Sequence, residues 1–551
     1  MTVINYPKWF SDCLVSNEEA LKATVHSEMT IGTGFATSEP HTFIETIWPF
    51  IQQEDLHDIR FMQALFMAPH KLLVGDALDG NGLLDGVAEK VSSISFISNI
   101  ARAANNITKK IEGLNKLVAH YEELQERRIE FTPAFIGAVN NILIPNNPLT
   151  RLLHSEYVGR NTTRMGVTDM HSVHFPDAVG SMAISADGES KVDLFALVMT
   201  PPDENGDMSH GPANGANGEV LEFFFENPGV DVVLYVNPNY PFTRGYGDAA
   251  NTVNIEQFKK LADAGRLYVV EDDAKVPAMP PGSFASPAEA ELAIADHVVN
   301  HIETNKDYTY GLPIQVGIGG TGVLAIRALK ESSWHGRSYT EMLEPFTLDL
   351  FDAGKIAGSH FIQKDGTRKM LDGKMVCTFT ICEEDSDFYQ RIDNNPNVVI
   401  STASRVVIPE AFYGGMGINN ILGIDFHGHV NSGGRDKNHH SGIGGGAVIV
   451  RGLARGGVAY LCLKSTHRDL DGKLRSSVFP FMPTGTPISH VGPDIMGGRE
   501  GARIFLVTEH GVAQVSGCSQ WQFIKNIISV ADPQFRDWLK YEAYKEFRVR
   551  V

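Results

Sequence analysis

Apolar residues in this chain gather into short unbroken runs. VDLFALVMT stops at the turn cluster PPDENGD, DVVLYVN at PNYPFTRGYGD, and LYVVEDDA at its own acids. β-branched runs of this length suit parallel strands buried on both faces. The texture continues through PIQV, MVCTFTI, NVVIST, AVIVRG, VAYLCLK and RIFLVTEHG. Helical patterns such as AEAELAIADHVVNHI and VLAIRALK lie among them. Strand runs alternating with helices predict an α/β protein with two parallel-sheet halves.

Two segments depart from that rhythm. In NITKKIEGLNKLVAHYEELQERR, apolar residues fall at Ile107, Ile111, Leu114, Val118 and Tyr121. Spacings of 4, 3, 4 and 3 place them on one face of a helix, with charges opposite. The span 76–160 therefore reads as a helical insertion in the N-terminal half. PAMPPGSFASPAEAE, rich in Pro, Ala and Ser, reads as a linker. It divides the chain into an N-terminal domain, 1–280, and a C-terminal domain, 281–551.

Composition narrows the function. The chain has 551 residues, 43% hydrophobic and 21% charged, with a formal net charge of -19. That balance argues against a broad nucleic-acid footprint but leaves room for a local site for a phosphorylated small molecule. No apolar run reaches the length of a membrane span, so no membrane partner is expected. The five cysteines show no paired metal-binding spacing and read as reduced thiols. The opening MTVINYPKWFSDC has no basic and apolar leader pattern. A soluble, cytoplasmic protein is expected.

The first chemical signal is PIQVGIGGTGVLAIRALK, where Gly317, Gly319 and Gly322 fit G-x-G-x-x-G. A dinucleotide site would place an acid about 20 residues on, at the end of a second strand. Glu341 falls 24 residues after Gly317, but ESSWHGRSYT before it makes a poor strand. A second glycine loop, SGIGGG, begins at Ser441. Two such loops at strand ends supply backbone N–H groups able to converge on one oxygen, as in an oxyanion hole. Glu341, on a short strand beyond the first loop, is then a candidate covalent nucleophile.

Several blocks in order carry a resemblance. They are DLFALVMTPPDENGDMSHG, LYVNPNYPFTRGYG, LPIQVGIGGTGVLAIRAL, SYTEML, INNILGIDFHGHVN, SGIGG with VRGLARGG, LVTEHGVAQVSG and ADPQFRDWL. Together they resemble the coenzyme A transferase family that includes acetyl-CoA hydrolase, succinyl-CoA:acetate CoA-transferase and 4-hydroxybutyrate CoA-transferase. The resemblance covers about residues 190–545, with a weaker echo before residue 75.

The resemblance implies an active-site cleft between two domains and CoA transfer between an acyl-CoA and a small carboxylate through a glutamyl-CoA thioester. Glu341 corresponds to the nucleophile, and Asn394, in DNNPNV, to an asparagine that orients it. Ile318, Gly319 and Gly320 correspond to one oxyanion and CoA-binding loop, and Gly442, Gly444 and Gly445 to the other. Asn237 and Pro241 are expected to shape the cleft. Coenzyme A enters as acyl-CoA substrate, no metal is implied, and a homodimer is expected. Val448 and Ile449 stand where relatives carry Asp-Phe, so the CoA contacts or acyl pocket differ there. The alternatives are an acyl-CoA hydrolase, a non-catalytic CoA-binding protein, or the NAD oxidoreductase. His427, His429, His439 and His440 lie close in sequence, but no cysteine or acid stands at a ligand spacing beside them.

Overall fold

The computed structural model describes residues 6–63, 70–78, 107–135, 173–178, 183–279, 287–317, 320–435, 438–439, 442–469 and 472–551. The chain forms two compact units. The first holds Met1–Ser283 and Phe379–Ala403, the second Phe284–Thr378 and Ser404–Val551. The change at 283/284 falls inside the Pro- and Ala-rich linker. The chain then returns once to the first unit, so 379–403, including Asn394, belongs with the N-terminal portion rather than with the sequence around it.

The first unit is built on β1 (Met29–Thr33), β2 (Ile59–Gln63), β3 (Glu130–Pro133), β4 (Leu194–Met199), β5 (Asp231–Val236) and β6 (Leu267–Glu271). They form one six-stranded sheet in the order β3-β2-β1-β4-β5-β6. Every neighbouring pair is parallel. β4 is buried at all its residues, as an unbroken apolar run requires. Helix α1 (His41–Gln53) turns Phe43, Ile44, Ile47 and Ile51 into the core, where Phe61 and Phe131 also lie.

The predicted amphipathic helix is α2 (Ile107–Glu126), with Leu117, Tyr121 and Leu124 buried. The 76–160 span is not helical throughout, however. It also contributes β3, paired in parallel with β2, so α2 precedes an edge strand of the main sheet. Glu130–Pro133 is too short and polar to announce itself as a strand, and pairing with β2 overrides its weak propensity. The remainder of that span, 79–106 and 136–160, lies outside the described residues.

The second unit carries β7 (Pro313–Val316), β8 (Arg337–Ser338), β9 (Met416–Asn420), β10 (Val458–Cys462), β11 (Arg503–Thr508) and β12 (Gly511–Gln514). Their order is β8-β7-β9-β10-β11-β12. All pairs are parallel except the closing hairpin of β11 and β12. Chain order runs outward to β8 on one side of β7 and outward through β10 on the other side of β9. The boundary between β7 and β9 is therefore a topological switch point, whose crevice at the carboxyl ends favours ligand binding.

Around this sheet lie α3 (Glu289–Thr304), α4 (Gly320–Leu329), α5 (Pro345–Asp352) and α6 (Gly446–Leu453). Gly322 lets α4 close onto β7, because a Cβ there would meet Val316 Cγ1 at 2.6 Å. The run AVIVRG lies in α6, not in a strand. An apolar run as short as AVIV cannot reveal its period; the glycine turn before it and the fixed ends of β9 and β10 make it the connecting helix. MVCTFTI and NVVIST supply short strands outside both six-stranded sheets. No described helix is long and apolar enough to cross a membrane, and all five cysteines are free.

Candidate active site

Glu341 lies in a bend between β8 and the two-residue strand Met342–Leu343, not on a strand as the sequence suggested. It follows the carboxyl end of β8, at the edge of the sheet where the switch point opens. Its backbone is tied down by the Thr378 N–H, which donates to the Glu341 carbonyl at 2.9 Å. The neighbouring Thr340 hydroxyl donates to Met342 O at 2.9 Å.

The side chain is only 9% exposed. Its Oε2 is buried and has no hydrogen-bond partner among the described residues. Burial pushes the carboxyl up to about 7 from its ordinary 4.5, and the nearby Gly445 N–H pulls the other way. Oε2 nonetheless accepts no hydrogen bond from it that meets full distance and angle requirements. Buried carboxyls with raised pKa values and no strong partner cluster at functional sites.

Glu344, three residues on, is the instructive contrast. It is fully buried, but its carboxylate caps α5, accepting from Phe346 N at 2.6 Å and Thr347 N at 3.0 Å. The Thr347 hydroxyl donates to its other oxygen. Burial raises this carboxyl too, but its lone pairs are occupied by the helix terminus. SYTEMLEP thus holds one structural and one uncommitted glutamate.

The second glycine loop meets Glu341 directly. Gly445 is the N-cap of α6, and a Cβ on it would lie 1.8 Å from Glu341 Oε2 and 2.9 Å from Val407 Cγ1. The carboxylate therefore occupies the space that a side chain at 445 would fill. Gly444 has φ +70°, the left-handed turn that directs the chain into the helix, and Gly442 is buried beside it. The first N–H groups of α6 have no acceptor within the helix, since its bonds begin with Ile449 N to Gly445 O. Aligned donors and the helix dipole make this terminus favourable for negative charge. Ile449 is in the core and Val448 is half-buried.

The first glycine loop follows β7. Gly317 N donates to Ile418 O of β9 at 2.8 Å, and Gly320 opens α4. Ile318 and Gly319 lie outside the described residues. Below this loop are two residues that the sequence reading did not single out. Gln315 on β7 and Asn419 on β9 are 1% and 6% exposed. Both polar atoms of Gln315, and Nδ2 of Asn419, lack hydrogen-bond partners among the described residues. Asn419 Oδ1 would stand 2.9 Å from a Cβ at Gly317. A glutamine and an asparagine inside parallel core strands are the signal that could have found them.

Asn394, Asn237 and Pro241 belong to the first unit. Asn394 is an exposed turn residue with φ +48° whose side chain donates to Asp393 Oδ1 at 3.3 Å. Asn237 is fully buried after β5, donating to Asp272 Oδ2 at 2.8 Å and Ala274 O at 2.9 Å. Pro241 is buried in the following loop. In the second unit, His429 pairs with Asp425 at 3.1 Å and His427 faces Gln520 at 3.3 Å. Among the described residues His427 and His429 belong to no ligand set; the side chains of His439 and His440 lie outside them.

Comparison with known proteins adds independent findings. Residues 385–543 match the family described as Acetyl-CoA hydrolase/transferase C-terminal domain. The chain is 26% identical over 364 residues to the butyryl-CoA:acetate CoA-transferase of Anaerostipes caccae, covering 64% of this chain and 72% of that one. It is 26% identical over 361 residues to the 4-hydroxybutyrate coenzyme A transferase of Clostridium kluyveri, covering 65% and 73%. Its fold is like that of RipA from Yersinia pestis, with a TM-score of 0.69 and 20% identity across 98% of this chain and 99% of that one. Residues 385–543 thus match the C-terminal domain of the acetyl-CoA hydrolase/transferase family, and the rest of the chain is similar to CoA-transferases in sequence and fold.

Proposed function

We propose that this protein transfers coenzyme A between an acyl-CoA and a small carboxylate, with Glu341 as the covalent nucleophile. The observation that carries the reading is the uncommitted Oε2 of Glu341 packed against the N-cap of α6. A Glu341 oxygen attacks the thioester carbon and expels the CoA thiolate, leaving an acyl-glutamyl anhydride. The thiolate attacks the Glu341 carbonyl carbon, expels the donor carboxylate and leaves a glutamyl-CoA thioester. An acceptor carboxylate then attacks that carbonyl, and the two steps run in reverse to release the new acyl-CoA.

Negative charge develops on a carbonyl oxygen in each step. The first-turn N–H groups of α6 are donors suited to receive it, and the resemblance assigns the same role to Ile318, Gly319 and Gly320. No general base is needed, because both substrates arrive as carboxylate or thioester. Exclusion of water conserves the thioester, and the burial of Glu341 serves that end. Asn394 as an orienting residue, Asn237 and Pro241 as cleft-shaping residues, the homodimer and the cytoplasmic setting rest on the resemblance and the composition.

The nucleophile must be ionised, which fixes the pH dependence. With the carboxyl at about 7, kcat/KM for transfer should fall about tenfold per pH unit below that value and level off above it. A profile flat down to about pH 5 would contradict the assignment. The reaction itself is tested by presenting a panel of acyl-CoAs with a panel of carboxylates and reading CoA exchange and free thiol separately. Exchange without free thiol is expected. Free thiol that appears whatever carboxylate is present would instead identify a hydrolase.

A further inference from the structure

A second convergence of ionisable groups lies in the first unit, at the carboxyl ends of β1 and β2. Chain order runs outward from β1 through β2 to β3 on one side, while β4 lies on the other. The switch point of the first sheet therefore lies between β1 and β4, and β1 borders it. Glu39, in the segment after β1, is completely buried. His41 and Glu45 stand one turn apart on α1 and share a face. His70 is 1% exposed and precedes the short helix Lys71–Val74.

The imidazole of His70 is held from both sides. Its Nε2 meets Glu39 Oε1, and its Nδ1 lies 2.8 Å from Glu45 Oε1. The other Glu39 oxygen accepts from Gln63 Nε2 at 2.6 Å. The rings of His41 and His70 lie 5.3 Å apart between centroids. One donor atom from each of His41, Glu45 and His70 falls within 4.8 Å of the others, the one such group among the described residues.

We propose that His41, Glu45 and His70 bind a divalent transition-metal ion of the zinc type, with Glu39 as the residue that orients His70. Two imidazoles and one carboxylate are a donor set suited to zinc, leaving a fourth position for water or a small oxygen ligand. Glu39 accepts a hydrogen bond from the Nε2–H of His70, and the incoming ion displaces to solvent the proton that Nδ1 shares with Glu45 Oε1, freeing the Nδ1 lone pair for the metal. A carboxylate behind a ligating histidine is the usual outer partner of such sites. The ion enters between Nδ1 and Oε1, which then separate to about 3.3 Å, the spacing of tetrahedral donors on zinc. Glu45 keeps 34% of its side chain exposed, giving the ion a route in. The bound ion ties the start of α1 to the segment after β2, a tie the sequence does not announce because the ligands come from separate elements.

The test is calorimetric titration of Zn²⁺ into the full-length protein after stripping with a chelator, with Co²⁺ absorption as a second readout. One equivalent of Zn²⁺ should bind, and Co²⁺ should give the visible bands of a four-coordinate ion. His41→Ala and Glu45→Gln alter half-buried side chains, and circular dichroism checks that both variants fold. Each should weaken binding at least about tenfold, and the double variant His427→Ala/His429→Ala should bind as the parent does. Absence of stoichiometric binding overturns the proposal. So does binding that persists unchanged in His41→Ala and Glu45→Gln, or that disappears with His427 and His429.

Discussion

Glu341→Gln should abolish CoA transfer and, at the same time, stabilise the protein above neutral pH. The amide cannot attack a thioester, and removal of a covalent nucleophile lowers kcat on the order of 10³- to 10⁶-fold. The stability arm follows from the raised carboxyl. Folded Glu341 titrates at about 7 and the ordinary value is 4.5. Between these values the folded protein holds a proton that the unfolded chain has lost. Stability therefore falls as pH rises from about 4.5 to 7 and stays reduced above.

The difference corresponds to about 3 kcal/mol. Glutamine never ionises, so its variant escapes that penalty, while its amide group, lacking a partner, offsets about 1–2 kcal/mol. A net gain of about 1–2 kcal/mol is expected near pH 8. Near pH 4, where the parent carboxyl is also neutral, the gain should turn into a loss of about 1–2 kcal/mol, the cost of the amide alone. Denaturant unfolding at the two pH values reads it directly. Lost activity with lost stability at pH 8 would instead mark Glu341 as a structural residue.

Gly445→Ala should separate position from chemistry. The backbone at 445 has φ -86°, open to any residue, so the constraint is not conformational. The added Cβ would fall 1.8 Å from Glu341 Oε2 and 2.9 Å from Val407 Cγ1. The carboxylate ends a flexible side chain and can swing aside, so the fold should persist with a stability loss of about 1–2 kcal/mol. Displaced by an ångström or more, the nucleophile loses its alignment with the α6 terminus, and kcat should drop about 100-fold or further. Glu341 and CoA would still be present, so KM should move much less than kcat. Equal activity in parent and variant would detach Gly445 from the site.

The sheets could be read from the chain because their central strands are unbroken apolar runs. Leu194–Met199 and Asp231–Val236 occupy the runs that announced them. β3 and α6 could not be read in that way. The first is four residues admitted to the sheet by its neighbour, and the second carries the unbroken apolar run AVIV, with Arg451 its one charged residue. At the site, the resemblance at SYTEML pointed to Glu341, but the letters give no physical reason why it and Glu344, just beyond the motif, should differ. What separates them is geometry: one carboxylate caps α5, and the other lies without a full partner against Gly445. Gln315 and Asn419 were visible only as polar letters in apolar strands. The Glu39, His41, Glu45 and His70 cluster was invisible, since no fixed spacing links residues contributed by two loops and a helix. Of the histidines the sequence did bring forward, His427 and His429 are chain neighbours that join no ligand set among the described residues.

The covalent role of Glu341 is tested most directly by trapping. The protein is incubated with an acyl-CoA, treated with borohydride and digested, and the peptide containing Glu341 is weighed by mass spectrometry. A glutamyl-CoA thioester is reduced to the alcohol, so this account predicts a mass loss confined to Glu341 and dependent on acyl-CoA. An unchanged Glu341 with every acyl-CoA that the protein turns over would contradict it.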